Sequence, residues 1–226
     1  MTTVILDLDG TLADTAGDLV AAANACFAAR GEPAPLDARR DAATALRGGR
    51  AMLRLGLQRT RGAWTEAEVD ADYQPLLEHY EAAIDAHSRL YPGVPEAMRA
   101  LRDRGWPVGV CTNKPERLAH ILLERLGVRD LFDGLVGADT LPVRKPDPEA
   151  FREAAIRSGG DPARAVMVGD TETDHRTARA AGVPSILVAF GPEGEGVARL
   201  GPDALLHRYA DLPALVERLV AAPAPG

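Results

Sequence analysis

Short apolar runs alternate with amphipathic stretches along most of this chain, and that alternation constrains the fold more than any other feature. Val4-Ile5-Leu6, Pro107-Val108-Gly109-Val110-Cys111, Leu135-Val136, Ala165-Val166-Met167-Val168 and Ser185-Ile186-Leu187-Val188 are near-continuous apolar runs. Runs of this length and kind belong in a parallel sheet buried on both faces. Helical spacing fills the intervals: Thr15 to Arg30, the stretch from Pro92-Gly93 to about Arg104, Pro115 to just before Gly127, Pro148 to Ser158, Asp174 to Ala181, and onward from Asp211. Thr15 is an N-cap candidate, Gly31 and Pro33 stop the first helix, and Pro115 suits a first turn. A weaker strand is expected near Leu205, and the tail from Ala221 to Gly226 is expected to fray. The fold class is α/β: a parallel sheet with helices on both faces.

One block breaks the alternation. From Leu36 to His87 only helical periodicity is present, interrupted at Gly48-Gly49 and Gly62. Leu53, Leu57, Leu76, Leu77, Tyr80 and Ile84 would line its inner faces. It reads as a small helical insert.

Composition narrows the function. The 226 residues include 46% hydrophobic and 26% charged side chains, the profile of a soluble globular protein. A net charge of −7, no basic run and 4% aromatic residues argue against a nucleic-acid partner. No apolar run approaches the length of a membrane span, and the start Met1-Thr2-Thr3-Val4-Ile5-Leu6-Asp7 meets a carboxylate too early for a signal peptide. Cys26 and Cys111 are too few for a zinc ribbon or a disulfide scaffold and suit a reducing cytoplasm. Of 26 basic residues only two are lysines, Lys114 and Lys145. In so arginine-biased a chain, a surviving lysine is either a place where a compact ammonium differs usefully from a planar fork or a leftover surface residue.

Ligands of open parallel sheets bind beyond the carboxyl ends of the strands, and polar residues gather there. The first strand ends in Asp7-Leu8-Asp9-Gly10-Thr11, the second in Thr112-Asn113, the loop after the third carries Lys145, and the fourth ends in Asp170 with Asp174 following. Carboxylates packed this closely repel unless a cation sits among them. Oxygen donors with one lysine suggest Mg²⁺, with waters and a phosphate completing its shell. Asp70-Ala71-Asp72 has the same spacing as Asp7-Leu8-Asp9 but no apolar strand before it, so it reads as a solvated helix face.

Val4-Ile5-Leu6-Asp7-Leu8-Asp9-Gly10-Thr11-Leu12, Thr112-Asn113, Lys145-Pro146 and Gly169-Asp170-Thr171-Glu172-Thr173-Asp174 together resemble the four-motif signature of the haloacid dehalogenase superfamily. Thr112-Asn113-Lys114-Pro115-Glu116, Leu141-Pro142, Arg144-Lys145-Pro146-Asp147-Pro148 and Tyr91-Pro92-Gly93-Val94 are most similar to its phosphoglycolate phosphatase-like branch. The resemblance implies a Rossmann-like core over residues 1–14 and 88–226, with a helical cap inserted over 15–87. It implies that Asp7 is the nucleophile, forming an aspartyl-phosphate, and that Asp9 is first acid and then base. Thr112 and the Asn113 backbone would hold the phosphoryl group, Thr11 would also bind it, and Lys145 would bridge Asp7 and phosphate. Asp7, the Asp9 carbonyl and Asp170 would ligate Mg²⁺, with Asp174 acting through water or behind the ligands. Asp9 would need a raised pKa to start protonated, while Asp7 stays ionised against the metal.

The implied activity is a Mg²⁺-dependent phosphomonoesterase acting on a small phosphorylated metabolite, 2-phosphoglycolate first. A sugar phosphomutase, a pyrophosphatase and an amino-sugar phosphatase share the fold, and a phospho-acceptor signalling module shares the chemistry. Neither nucleic acid nor membrane is an expected partner, and the chain is expected as a monomer or homodimer. Specificity is expected from the insert, where Arg47-Gly48-Gly49-Arg50 is a tight turn bearing two guanidinium groups. Arg50, which opens the following helix, is the candidate for gripping an anionic substrate. Lys114 is open between a contact on the phosphate side and a solvated cap of the next helix.

Overall fold

A computed structural model describes residues 2–221; the end of the tail expected to fray, residues 222–226, lies outside them. Within them the chain forms two units, Met1–Ala13 with Leu90–Gly226, and Asp14–Arg89. The chain passes between them at two very short strands, β2 (Ala13–Asp14) and β3 (Arg89–Leu90), which pair with each other. No helix among the described residues is long and apolar enough to cross a membrane.

The larger unit is built on six strands: β1 (Thr3–Leu6), β4 (Val108–Cys111), β5 (Gly134–Val136), β6 (Ala165–Gly169), β7 (Ser185–Val188) and β8 (Ala204–Leu206). Their order is β5-β4-β1-β6-β7-β8, with every pairing parallel. The residues of β1, β4, β5, β6 and β7 are all buried, which is why they read as unbroken apolar runs rather than as alternation. Helices α5 (Val94–Arg102), α6 (Glu116–Arg125), α7 (Pro148–Arg157), α8 (Glu172–Ala181) and α9 (Leu212–Ala221) make the crossovers and the last element. Ile5, Cys111, Val136, Phe151, Ala154 and Met167 form one buried cluster beneath α7. That helix lies almost on the sheet: a Cβ on Gly109 would stand 2.1 Å from Ser158 Oγ, and one on Gly134 2.6 Å from the Ser158 backbone nitrogen. Glycine at both positions admits the end of α7.

The strand order reverses at β1. The chain builds β4 and β5 on one side of it, then crosses to add β6, β7 and β8 on the other. Leu6 is level with Val110 on one neighbour and Val168 on the other. The residues that follow, Asp7, Cys111-Thr112 and Gly169-Asp170, therefore emerge side by side at the switch point.

The smaller unit is helical: α1 (Ala16–Ala29), α2 (Ala42–Ala45), α3 (Gly49–Arg61) and α4 (Glu66–Ala82). Phe27, Met52, Leu53, Leu57, Val69, Leu76, Tyr80 and Ile84 fill its interior. Leu77, expected inside, is only half-buried because Leu76 and Tyr80 take the inward face of α4. α3 passes close to α1, since a Cβ on Gly56 would meet Phe27 Cζ at 2.3 Å. Thr65 and Glu68 close a capping box at the start of α4. Thr15 occupies the N-cap position of α1, but its side chain does not cap the helix; its φ of −114° and ψ of 0° depart from the extended geometry capping uses. Buried Asp18 instead stitches the returning chain to α1, accepting from the His87 and Ser88 backbone nitrogens and from Ser88 Oγ at 2.6 Å.

Three sequence expectations move by a few residues. α5 ends at Arg102 rather than Arg104, α8 begins at Glu172 rather than Asp174, and Pro115 is the residue before α6 rather than its first turn. The two strands β2 and β3 had no sequence signal, two residues being too few to show a period.

Candidate active site

The polar residues at the strand ends of the larger unit converge on one buried cluster. Asp7 follows β1 directly. Its Oδ1 accepts from the Leu8 backbone N–H at 2.7 Å and takes the Lys145 ammonium at 2.9 Å, so two donors fix the carboxylate's orientation. Lys145 arrives on the loop after β5 and also reaches Asp174 Oδ1 at 2.6 Å. Asn113 steadies that loop, its side-chain amide donating to the Lys145 carbonyl at 3.0 Å. Thr112, at the end of β4, is buried and accepts from the Lys114 backbone N–H at 3.2 Å.

Asp170 and Asp174 come from β6 and α8. The Asp174 carboxylate has no exposed surface, and its Oδ2 accepts from Thr171 Oγ1 at 2.7 Å and from the Asp170 and Thr171 backbone nitrogens. It is thus both the capping-box acid of α8 and the anchor of Lys145. Gly169 lets it lie there: a Cβ on that residue would stand 2.2 Å from Asp174 Cβ. One carboxylate oxygen from each of Asp7, Asp170 and Asp174 lies within 4.8 Å of the others. Asp170 Oδ2 is buried and makes no hydrogen bond among the described residues.

Burial governs the electrostatics. It pushes the Asp7 carboxyl up to about 7; Lys145 pulls against this, while Asp174 and Asp9 add to it. Asp170 is driven well above the ordinary carboxylate range, first by burial and then by Asp174 and Asp7. Burial also works against the charge on Lys145, but Asp174 and Asp7 outweigh it and hold the lysine as an ammonium. Four carboxylates face two ammoniums here, since Lys114 Nζ lies 3.0 Å from Asp9 Oδ1. With all four acids ionised the site would hold two negative charges in excess, which a divalent cation would neutralise; without one, burial holds Asp7 and Asp170 toward their protonated forms.

One expectation needs correction. Thr11, expected on the phosphate, is fully buried and donates to Asp170 Oδ1 at 2.8 Å, so it orients an acid. Of the two readings open for Lys114 the solvated cap falls away: its side chain is buried, with the ammonium 3.0 Å from Asp9 Oδ1. Tyr209 was missed altogether. Its hydroxyl, buried, donates to the Thr11 carbonyl at 2.7 Å across 198 residues of sequence, and its ring stacks with Phe190, which also meets Tyr91. No local pattern could reveal a partner so distant. Cys111 lies in the core as expected, with burial pushing its thiol up to about 12.

In the helical unit, Arg50 is engaged rather than open. Its guanidinium pairs with Asp70 and lies 4.4 Å from the centre of the Tyr73 ring. The decoy acids Asp70 and Asp72 are accordingly ion-paired, to Arg50 and Arg30, rather than simply solvated.

A doubly wound parallel sheet with buried acids and a lysine at its switch point defines an α/β enzyme with a metal-competent acidic site. The chain belongs to the haloacid dehalogenase-like hydrolases, whose family model matches residues 1–182. It is 42% identical over 219 residues to a phosphoglycolate phosphatase of Agrobacterium fabrum, covering 96% of this chain and 93% of that one. A phosphoglycolate phosphatase of Caulobacter vibrioides is 39% identical over 225 residues, covering 99% and 94%. The crystal structure of a predicted phosphoglycolate phosphatase from Haemophilus somnus superposes with a TM-score of 0.83 at 25% identity, covering 95% of this chain and 97% of that one.

Proposed function

We propose that this hydrolase is a Mg²⁺-dependent phosphomonoesterase that works through an aspartyl-phosphate on Asp7, with 2-phosphoglycolate as its leading substrate. The observation that carries the reading is the buried trio Asp7, Asp170 and Asp174, with Asp170 Oδ2 left without a partner among the described residues. An all-oxygen donor set with excess negative charge fits a hard divalent cation. Asp7, Asp170 and the Asp9 carbonyl would hold it, with Asp174 supporting them from behind. When bound, Mg²⁺ would withdraw negative charge from the phosphoryl oxygens and from the nucleophile's carboxylate.

The chain's own residues supply the rest. Asp7 attacks phosphorus, with its orientation held by the Leu8 N–H and Lys145. The Lys145 ammonium, itself held by Asp174, lowers the repulsion between an anionic nucleophile and a phosphate dianion. The phosphorus–oxygen bond of the ester breaks, its electron pair stays on the leaving oxygen, and Asp9 delivers the proton that oxygen takes up. Asp9 then removes a proton from water as water attacks the aspartyl-phosphate, which restores Asp7 and releases phosphate. Thr112 and the Asn113 backbone, at the adjacent strand end, would hold the phosphoryl oxygens. The helical unit acts as the cap that admits a small phosphorylated metabolite. The two buried free thiols suit a reducing cytoplasm.

Substrate assignment leans on the two relatives of about 40% identity that span nearly the whole chain. The test is phosphate release from a panel holding 2-phosphoglycolate, pyrophosphate, hexose phosphates, an amino-sugar phosphate and nucleotides, with Mg²⁺ and with EDTA. Turnover highest on 2-phosphoglycolate and lost in EDTA is expected. Isomerised sugar phosphate without free phosphate would replace this reading with a mutase.

A further inference from the structure

Among 26 basic residues the chain has two lysines, and both ammoniums meet a carboxylate of the Asp7-Leu8-Asp9 segment. Lys145 on Asp7 is accounted for by the proposed reaction; Lys114 on Asp9 is not. Its backbone is pinned on both sides, the N–H donating to Thr112 Oγ1 at 3.2 Å and the carbonyl accepting from the Ala138 N–H at 2.9 Å. The side chain is 4% exposed and the Asp9 side chain 15%, so the ammonium approaches Asp9 from the protein side. A buried ammonium is unfavourable without a partner. The 24 arginines elsewhere show that this chain otherwise meets its need for positive charge with guanidinium. A compact ammonium on a straight stem can be threaded to one carboxylate oxygen where a broad planar fork would need more room.

We propose that Lys114 is a positioning residue for Asp9: by holding Oδ1 it sets the rotation of the carboxyl group and presents the other oxygen toward the leaving group. The inference rests on the reading of Asp9 as acid and base. Proton transfer requires hydrogen-bond reach and alignment, so a carboxyl group free to rotate delivers its proton less often at the moment the ester bond breaks. Lys114 itself is neither consumed nor deprotonated. The proton passes from Asp9 to the leaving oxygen, and the electron pair of the broken phosphorus–oxygen bond stays on that oxygen.

The consequence is a dependence on leaving group. An alkyl phosphate such as 2-phosphoglycolate needs the proton from Asp9, whereas p-nitrophenyl phosphate expels a stable phenolate without it. The experiment compares kcat/KM on these two esters, in Mg²⁺-containing buffer, for the wild-type protein, Lys114→Met, Asp9→Asn and the double variant. Because kcat/KM covers only steps through departure of the leaving group, the later role of Asp9 as base does not enter. Lys114→Met is expected to lower the alkyl-to-aryl ratio by about tenfold or more, within the span that acid catalysis commands. In the Asp9→Asn background it should have no further effect on the alkyl ester.

Equal losses on both esters, or losses that multiply with those of Asp9→Asn, would make Lys114 a direct contact to phosphate and overturn the inference alone. If the aryl ester is not turned over, the double-variant comparison on the alkyl ester decides by itself. Lys114→Gln, which keeps a donor, carries the same comparison if the Met variant does not fold. Failure of both to fold makes the residue structural and overturns the proposal. A wild-type protein that releases phosphate from neither ester fails the phosphatase reading first, and the inference with it.

Discussion

One ion pair of the helical unit joins a buried carboxylate, Asp41, to a partly exposed guanidinium, Arg59, and its strength can be worked out. Asp41 is 3% exposed, and its carboxylate takes both guanidinium nitrogens of Arg59, at 2.6 and 2.8 Å, together with the Asp37 backbone N–H at 2.8 Å. The hydrogen bonds from Arg59 outweigh burial and hold the carboxyl down to about 2, from an ordinary value of 3.8. A pKa lowered on folding stabilises the ionised folded state, by about 1.4 kcal/mol per unit, so this pair contributes about 2 kcal/mol at neutral pH. That contribution is present above the unfolded pKa, near 4, and is lost as pH falls through the folded one, near 2. Asp41→Asn keeps the shape and removes the charge. It should cost about 2 kcal/mol at pH 7, and the deficit should shrink toward zero between pH 4 and pH 2. Urea denaturation of both proteins, followed by circular dichroism across that range, measures it, and taking the difference cancels every other titrating group. A deficit that stays constant from pH 7 to pH 2 would refute the charge argument and leave only packing.

Three further predictions concern the larger unit. Lys145→Met leaves Asp7 and Asp174 without their ammonium, and phosphate release should fall by about 10²–10³-fold, the usual loss when one group stabilising developing charge is removed. Steady-state assays should show a change of kcat rather than of KM alone. Adding Mg²⁺ to chelator-treated protein should raise its melting temperature, by an increment that grows with the logarithm of free Mg²⁺ above its Kd. Asp170→Asn, which removes the acid whose Oδ2 lacks a partner among the described residues, should melt higher than wild type in EDTA and lose the response to Mg²⁺.

Much of this was legible in the residues because the physics behind it is local. Strands buried on both faces need continuous apolar runs, and Val4-Ile5-Leu6 or Ala165-Val166-Met167-Val168 can satisfy nothing else. Asp7, Asp170 and Lys145 stood out because they follow such runs, or the loop between them, and a parallel sheet delivers its strand ends to one edge. What escaped was the pairing between distant segments. Thr11 has a hydroxyl that suits a phosphate as well as an acid, and only the arrival of Asp170 beside it decides which. Lys114 was open between the phosphate side and a helix cap, since a helix starts just after it, and only the three-dimensional structure brings its stem back to Asp9. Arg50 sits at the tight turn expected of it, but Asp70 and Tyr73 occupy its guanidinium from the next helix, α4, with Asp70 20 residues on. Tyr209 supports Thr11 from near the end of the chain, where nothing nearby hints at the contact.

In the proposed reaction Asp7 becomes phosphorylated. Mixing the protein with 2-phosphoglycolate and Mg²⁺, quenching in acid within milliseconds and mapping the peptides by mass spectrometry detects that intermediate. A transient acid-stable, base-labile phosphoryl group is expected on the peptide containing Asp7, absent in Asp7→Asn, and more persistent in Asp9→Asn where water is activated poorly. Multiple turnovers of phosphate release with no phosphoryl group on that peptide, or full activity in Asp7→Asn, would contradict the proposed reaction.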